Sequence, residues 1–332
     1  MNPANPTRFL IFKGQFALDV YGASWALTDP AWMANPFNVK SKMGLSDNDE
    51  VLLTHFSDID GEDPCPKFMI FVDESSKSIV LAIRGTFSLT DVIVDIICDD
   101  ESFLDGFAHR GILRGATRIM KQGREVLQEA LENYPGYRMV ITGHSLGAGT
   151  AILITMGLLN NIYDLKVNEV KCVALAPPPV FRCKKKIPEK FTKNIHIFIN
   201  GNDCVPRLTL ANMALVIAMI RAIDDSELDA KDYLKILAGI EDEDVKTKLE
   251  NLVTLITDVE QNEFPNLDHP GSIYYLKSNA EGTTMFKTSG QYFSKSLLLF
   301  DGMVLDHLQP YYEAAFANVK FEDNDENSKD KQ

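Results

Sequence analysis

Ser145 is the residue whose setting points most directly to chemistry. It stands in the segment YRMVITGHSLGAG at 137–149, where an apolar run from Met139 to Thr142 leads into Gly143, His144, Ser145, Leu146 and Gly147. Small and apolar residues follow at helical spacing: Ala148, Ala151, Ile152 and Thr155. The pattern reads as a strand, a sharp turn and a helix with the serine at the apex, the nucleophile elbow G-x-S-x-G. Such a turn is strained, so glycines at 143 and 147 are needed for strand and helix to approach. The hydroxyl is expected to be pushed into the open, above the unpaired N–H groups of a helix N-terminus. A bare G-x-S-x-G arises by chance in roughly one chain in ten of this length. The apolar strand before it and the small-residue helix after it set this one apart from a glycine-rich turn with an idle serine.

A serine hydroxyl is a poor nucleophile at neutral pH. It needs a base, and the base needs an orienting carboxylate. On this kind of elbow the chain order is serine, acid, histidine. Downstream of Ser145, the strand-like run Ile195–Asn200 is followed at once by Gly201, Asn202 and Asp203. Asp203 is therefore the candidate acid, the alternative being a turn aspartate that caps its own bend. Only His269 and His307 come after it. His269 sits just ahead of a strand-like run, where loops start at the wrong edge of a sheet. His307 opens the last helix in DHLQPYY at 306–312, and a loop there reaches the carboxyl ends of the strands, where ligands bind in open sheets. His307 is the candidate base. His144 reads as a structural neighbour pointing away from the serine, and His55, His109 and His196 come too early in the chain. A tetrahedral intermediate also needs two N–H donors. Leu146, after the nucleophile, and Thr86, in the IRGT run 83–86 at the end of an early strand, are the candidates. One such donor is worth roughly 3 kcal/mol.

Directly after Thr86, Leu89, Val92, Ile93, Ile96 and Ile97 share one helical face and Asp91, Asp95 and Asp99 the other. Two roles suit this short amphipathic helix: a lid over the site, apolar face down until a lipid surface opens it, or a permanently docked core helix. The sequence leaves both open.

The elements that must hold these residues alternate. Strand-like runs at 68–72, 78–84, 138–142, 171–176, 195–200 and 272–277 and a strongly one-faced helix at 112–133 predict a mostly parallel sheet covered by helices. The first two runs form a hairpin turning at 73–77. Residues 208–268 are helical in pattern and sit between the last two core strands, as an insertion or cap. There Met213, Leu215, Val216, Met219 and Ile220 suit core packing or the lining of an acyl groove. The expected organisation is a single domain over 1–320, followed by an acidic, disordered tail at 321–332, FEDNDENSKDKQ.

The net charge of −14 repels phosphate backbones and excludes nucleic acid as a natural partner. Arg182 and Lys184–Lys186 form the only short basic run and read as a solvated loop. Five cysteines without metal spacing suit free thiols in a reducing, cytoplasmic setting. No apolar stretch reaches the ~18–20 residues of a membrane span. The N-terminal residues hold no signal-peptide apolar region.

Taken together these pieces resemble the class 3, fungal-type lipase family of α/β-hydrolases. The resemblance rests on IRGT with its downstream Asp95, AHRGI at 108–112, ITGHSLGAG at 141–149, APPPV at 176–180, NGNDCVPR at 200–207 and DHLQPYY at 306–312, all in family order. It is similar above all to the intracellular, diacylglycerol lipase-like branch, through APPPV and the HPGSIYYL run at 269–276, the latter favouring a structural His269. The resemblance implies an α/β-hydrolase fold and a Ser145, Asp203, His307 triad with Thr86 and Leu146 as oxyanion donors. It further implies hydrolysis of lipid esters without metal or cofactor, with peripheral contact to a membrane or lipid-droplet surface. The same triad would also serve a soluble-ester esterase, a feruloyl-type esterase or a phospholipase A1. A lipase-like binding protein without turnover is the alternative outside enzymes. The membrane-spanning region of the animal diacylglycerol lipases has no counterpart in these residues, and 208–268 has no close match in the family.

Overall fold

The apolar runs become strands buried on both faces, as a parallel sheet covered by helices requires. The computed structural model describes residues 45–55, 65–85, 100–224, 228–257, 266–294 and 302–319. Its main sheet contains β1 (Glu50–His55), β2 (Phe68–Asp73), β3 (Ser78–Ile83), β6 (Arg138–His144), β7 (Val170–Leu175), β9 (Ile195–Asn200), β10 (Ser272–Asn279) and β11 (Gly282–Thr288), in the order β1-β2-β3-β6-β7-β9-β10-β11. The pairs from β3 through β10 are parallel. Antiparallel pairs close both edges. The expected hairpin is β2–β3, with its turn between Asp73 and Ser78.

Side chains alternate between two cores along each strand. Phe68 and Ile70 of β2, Ile141 of β6 and Ile197 of β9 join a core under α1 (Arg110–Asn133) and α2 (Leu146–Leu158). Met69, Phe71, Val140 and Phe198 join the opposite core under α8 (Gln309–Ala317). Helix α2 is buried at every position from Gly147 to Leu158, because it lies between the sheet and α1. Helix α1 starts two residues before its predicted position, where His109 Nδ1 accepts the Ile112 N–H at 3.3 Å.

Between the parallel neighbours β9 and β10 the chain makes a 3-10 turn (Val205–Arg207) and then α4 (Leu210–Asp224), α5 (Ala230–Leu237) and α6 (Glu243–Thr257). An Asp229–Asp232 capping box opens α5. Lys248 ties α6 to α5 through Asp232 at 3.1 Å, and Lys235 reaches Asp242 at 2.7 Å. Of the apolar residues expected to be core or groove on α4, Met213 packs against Cys204 and Val205, whereas Ile220 is 55% exposed.

Several features differ from the sequence expectation, the edge strands β1 and β11 among them. A second, three-stranded sheet of β4 (Asp100–Phe103), β5 (Gly106–His109) and β8 (Phe181–Cys183) stands apart from the main one. Its strands are too short and too polar to show an alternation. Arg182, read as part of a solvated loop, lies in β8, where its guanidinium pairs with Asp100 at 2.8 Å and covers the Phe107 ring at 4.5 Å. Lys184–Lys186 are exposed as expected. A helix α3 (Glu189–Asn194) leads into β9, and α7 (Gln291–Ser294) follows β11. The lid candidates Leu89, Val92, Ile93 and Ile96, Thr86, Cys98 and the acidic tail lie outside the described residues. No described helix is long and apolar enough to cross a membrane.

Candidate active site

The elbow forms where β6 ends and α2 begins. Ser145 carries φ +57° and ψ −129°, a conformation costly for a residue with a side chain and held here by its surroundings. Its N–H donates to the Leu175 carbonyl at 2.9 Å, and its own carbonyl accepts the Ala148 N–H at 2.9 Å. A Cβ at Gly143 would sit 2.3 Å from the Gly147 carbonyl oxygen, and one at Gly147 would sit 2.5 Å from that of Ile83. Neither position can carry a side chain, which is the physical content of the motif.

The other two residues arrive from distant parts of the chain. His307 Nε2 is 3.0 Å from Ser145 Oγ. On the far side of the ring, Nδ1 lies 3.0 and 3.1 Å from the two oxygens of Asp203. A carboxylate only accepts, so Nδ1 carries the proton and Nε2 is left to accept Oγ–H. The Asp203 carboxylate also accepts the Val205 N–H at 3.0 Å and the Tyr312 hydroxyl at 2.8 Å. Tyr312 Oη in turn accepts the Asn200 N–H at 3.0 Å. The loop bearing His307 is tied to the end of β9 through Asp306. Its carboxylate accepts the Asn202 N–H at 2.7 Å, and its carbonyl accepts from Asn200 Nδ2 at 3.2 Å. Burial raises the Asp306 carboxyl above the usual carboxylate range.

The structure thus brings Ser145, Asp203 and His307 into one hydrogen-bonded chain, and all three are buried. That corrects one expectation. The serine does not stand in the open: it is fully buried, with His307 Nε2 at 3.0 Å from its hydroxyl. The Leu146 N–H belongs to the first turn of α2, where backbone donors have no intrahelical acceptor. Gly85, the neighbour of Thr86, presses against the elbow so closely that a Cβ there would meet the His144 carbonyl oxygen at 2.5 Å.

His269 stays out of this chain. It is buried, and its Nε2 donates to the Pro206 carbonyl at 3.0 Å. His144, expected as a structural neighbour of the elbow, is buried beside the base. Its ring packs on that of His307 at 4.7 Å between centroids. Tyr312 is the partner that residue-by-residue reading missed. It stands in the DHLQPYY run, but only the docking of α8 on the sheet shows that it, and not Tyr311, faces Asp203. Leu146, the residue after the serine, joins Leu208, Met213 and Met303 in a half-buried apolar cluster around Cys204 and Val205. A cavity of about 580 Å³ opens behind Asp306 and is lined by polar residues including Asn202 and Lys277, but not by Ser145 or His307.

A mostly parallel sheet with a serine elbow at its carboxyl edge and a histidine and carboxylate beyond it defines the α/β-hydrolase architecture. The sequence model of the class 3 lipase family matches residues 80–213, from β3 through the elbow and Asp203 to the start of α4. Over 157 residues, 44% of this chain, the protein is 33% identical to mouse diacylglycerol lipase-beta, of which that stretch is 22%. It is 29% identical over 150 residues, again 44% of this chain, to the secreted mono- and diacylglycerol lipase A of Penicillium cyclopium, covering 48% of that protein. The chain therefore spans less than half the length of either relative. Among solved structures, a triacylglycerol lipase described as having a serine protease triad at its catalytic centre superposes with a TM-score of 0.57. That superposition covers 92% of this chain and 94% of that one at 18% identity, which establishes the shared fold. His307 lies outside the family match, so its place rests on the geometry above.

Proposed function

We propose that this protein is a serine hydrolase of carboxylic esters carried by lipids, acylglycerols foremost. The hydrogen-bonded chain Ser145–His307–Asp203, 3.0 Å at each link, is the observation that carries the reading. Ser145 Oγ attacks the ester carbonyl while His307 Nε2 takes its proton, and Asp203 stabilises the imidazolium and holds its tautomer. The tetrahedral oxyanion is received by the Leu146 N–H and, by the sequence argument, that of Thr86. Collapse expels the alcohol, which leaves with the proton from His307, and the acyl group stays on Ser145. Water then gives a proton to His307, attacks the acyl-enzyme and releases the fatty acid, and the proton returns to Ser145.

The lipid preference is supported by the match to lipases and by the half-buried apolar cluster of Leu146, Leu208, Met213 and Met303, which includes the residue after the serine and would offer an acyl chain apolar contact. Peripheral contact with a membrane or droplet surface follows from such a substrate and belongs to the same proposal. So does a reducing, cytoplasmic setting, supported by the free thiols Cys172 and Cys204, which burial pushes up to about 12. The test is covalent labelling by a fluorophosphonate. Wild type should be labelled at Ser145, with both Ser145→Ala and His307→Ala unlabelled. A wild-type protein that resists the probe in detergent and on vesicles alike would refute the reading.

A further inference from the structure

The mechanism above gives no task to one buried titratable side chain in the site. His144 precedes the nucleophile, is 3% exposed, and packs its ring on His307 at 4.7 Å and edge-on to Tyr312 at 5.7 Å. Its Nε2 lies 2.9 Å from the main-chain carbonyl oxygen of His307. A carbonyl only accepts, so Nε2 carries the proton and donates. This bond joins residues 163 positions apart, tying the last residue of β6 to the residue that carries the base. Other ties of that loop lie earlier in the chain, through Asp306 to the end of β9 and from the Met303 carbonyl, which accepts the Cys204 N–H at 3.3 Å.

We infer that His144 is a positioning residue for His307, fixing through the main-chain carbonyl where the imidazole sits between Ser145 and Asp203. The inference rests on the serine hydrolase reading. His307 must make two bonds at once, one at each end of its ring, so its backbone has little freedom to drift. A displacement of about 1 Å at such a site can cost about a hundredfold in rate. The elbow fixes the other end of the tether, because the His144 carbonyl is wedged against Gly85. An imidazole suits the task for a second reason. Burial, and then the neighbouring His307, push the His144 ring down to about 3. It is therefore neutral when His307 becomes an imidazolium during acylation, whereas a lysine or arginine there would oppose that charge.

The geometry of the donor makes the test specific. A glutamine amide reaches about where Nε2 stands, and an asparagine amide only about where Nδ1 stands. Wild type, Ser145→Ala, His144→Leu, His144→Asn and His144→Gln are compared on a soluble short-chain nitrophenyl ester. The rate constant of fluorophosphonate labelling is measured in parallel, counting only molecules that become labelled. His144→Leu and His144→Asn should lose between about tenfold and a hundredfold in kcat and in labelling rate constant, with KM nearly unchanged. His144→Gln should regain most of both. Should the leucine variant fail to fold, the Asn and Gln pair carries the comparison alone. Equal rates for Asn and Gln, or a loss confined to the fraction of molecules that can be labelled, would overturn the inference and leave His144 a packing residue. Wild type inactive alongside Ser145→Ala would instead remove the hydrolase reading itself, and this inference with it.

Discussion

Three donors converge on the Asp203 carboxylate: the Val205 N–H, His307 Nδ1–H and the Tyr312 hydroxyl. Tyr312 has no acceptor closer to hand, and burial raises its phenol well above the usual range, so it remains a donor throughout. Tyr312→Phe removes that donor and also leaves the Asn200 N–H without its acceptor. Hydrogen bonds to charged groups are worth about 1.5–3 kcal/mol, so kcat should fall about ten- to a hundredfold while KM changes little. Steady-state kinetics on a soluble ester checks this, and an unchanged kcat would make the tyrosine a spectator. At this scale the serine and the acid were legible because strand, turn and residue type coincide in a few positions. Tyr312 and His144 were not, since their roles depend on which atoms of distant segments meet, and no local pattern encodes that.

At the scale of elements, the elbow is a contact between three backbones, β3, β6 and α2. Gly85 continues β3 past the elbow with no room for a methyl group beside the His144 carbonyl. Gly85→Ala should therefore push the elbow and Ser145 out of line with His307. Overpacking of this kind costs about 1–3 kcal/mol in stability, and the labelling rate at Ser145 should fall by more than the stability loss alone explains. Urea midpoints measured beside labelling rates separate the two, and a variant with normal labelling would show that the loop yields. The central parallel strands and α1 were legible from apolar runs and one-faced periodicity. The edge strands β1 and β11 and the small β4-β5-β8 sheet were not, because exposed or short strands such as DESF and GTTMFKT carry no such run. The insertion was legible as helical, but not the exposure of Ile217 and Ile220 on α4, since a helix apolar around most of its girth does not say which side is covered.

Across the whole molecule, burial leaves its mark on the histidines. It lowers His144 to about 3 and His196 to about 4, and it lowers His269 as well. Each folded-state value lies below the ordinary value of 6.5, so the unfolded chain binds more protons between them. Stability is fully present above about pH 6.5 and is lost as pH falls toward the folded values. The urea midpoint should drop steadily from pH 7 to pH 5. His196→Gln, away from the site beside Tyr274, should flatten part of that slope. A midpoint independent of pH in this window would contradict the burial of these rings. The fold class was legible from the order of strand and helix signals, but closure of the site was not. Ser145 is fully buried, and only the assembled loops reveal this.

The most direct test of the central claim is hydrolysis of emulsified long-chain diacylglycerol by wild type and Ser145→Ala, with fatty acid release followed alongside a short soluble ester. Removing the nucleophile of such a triad costs up to about a millionfold in turnover. Steady release of fatty acid by wild type and none above background by Ser145→Ala is the predicted result. Equal release by both proteins, or no release by wild type from either substrate, would contradict it.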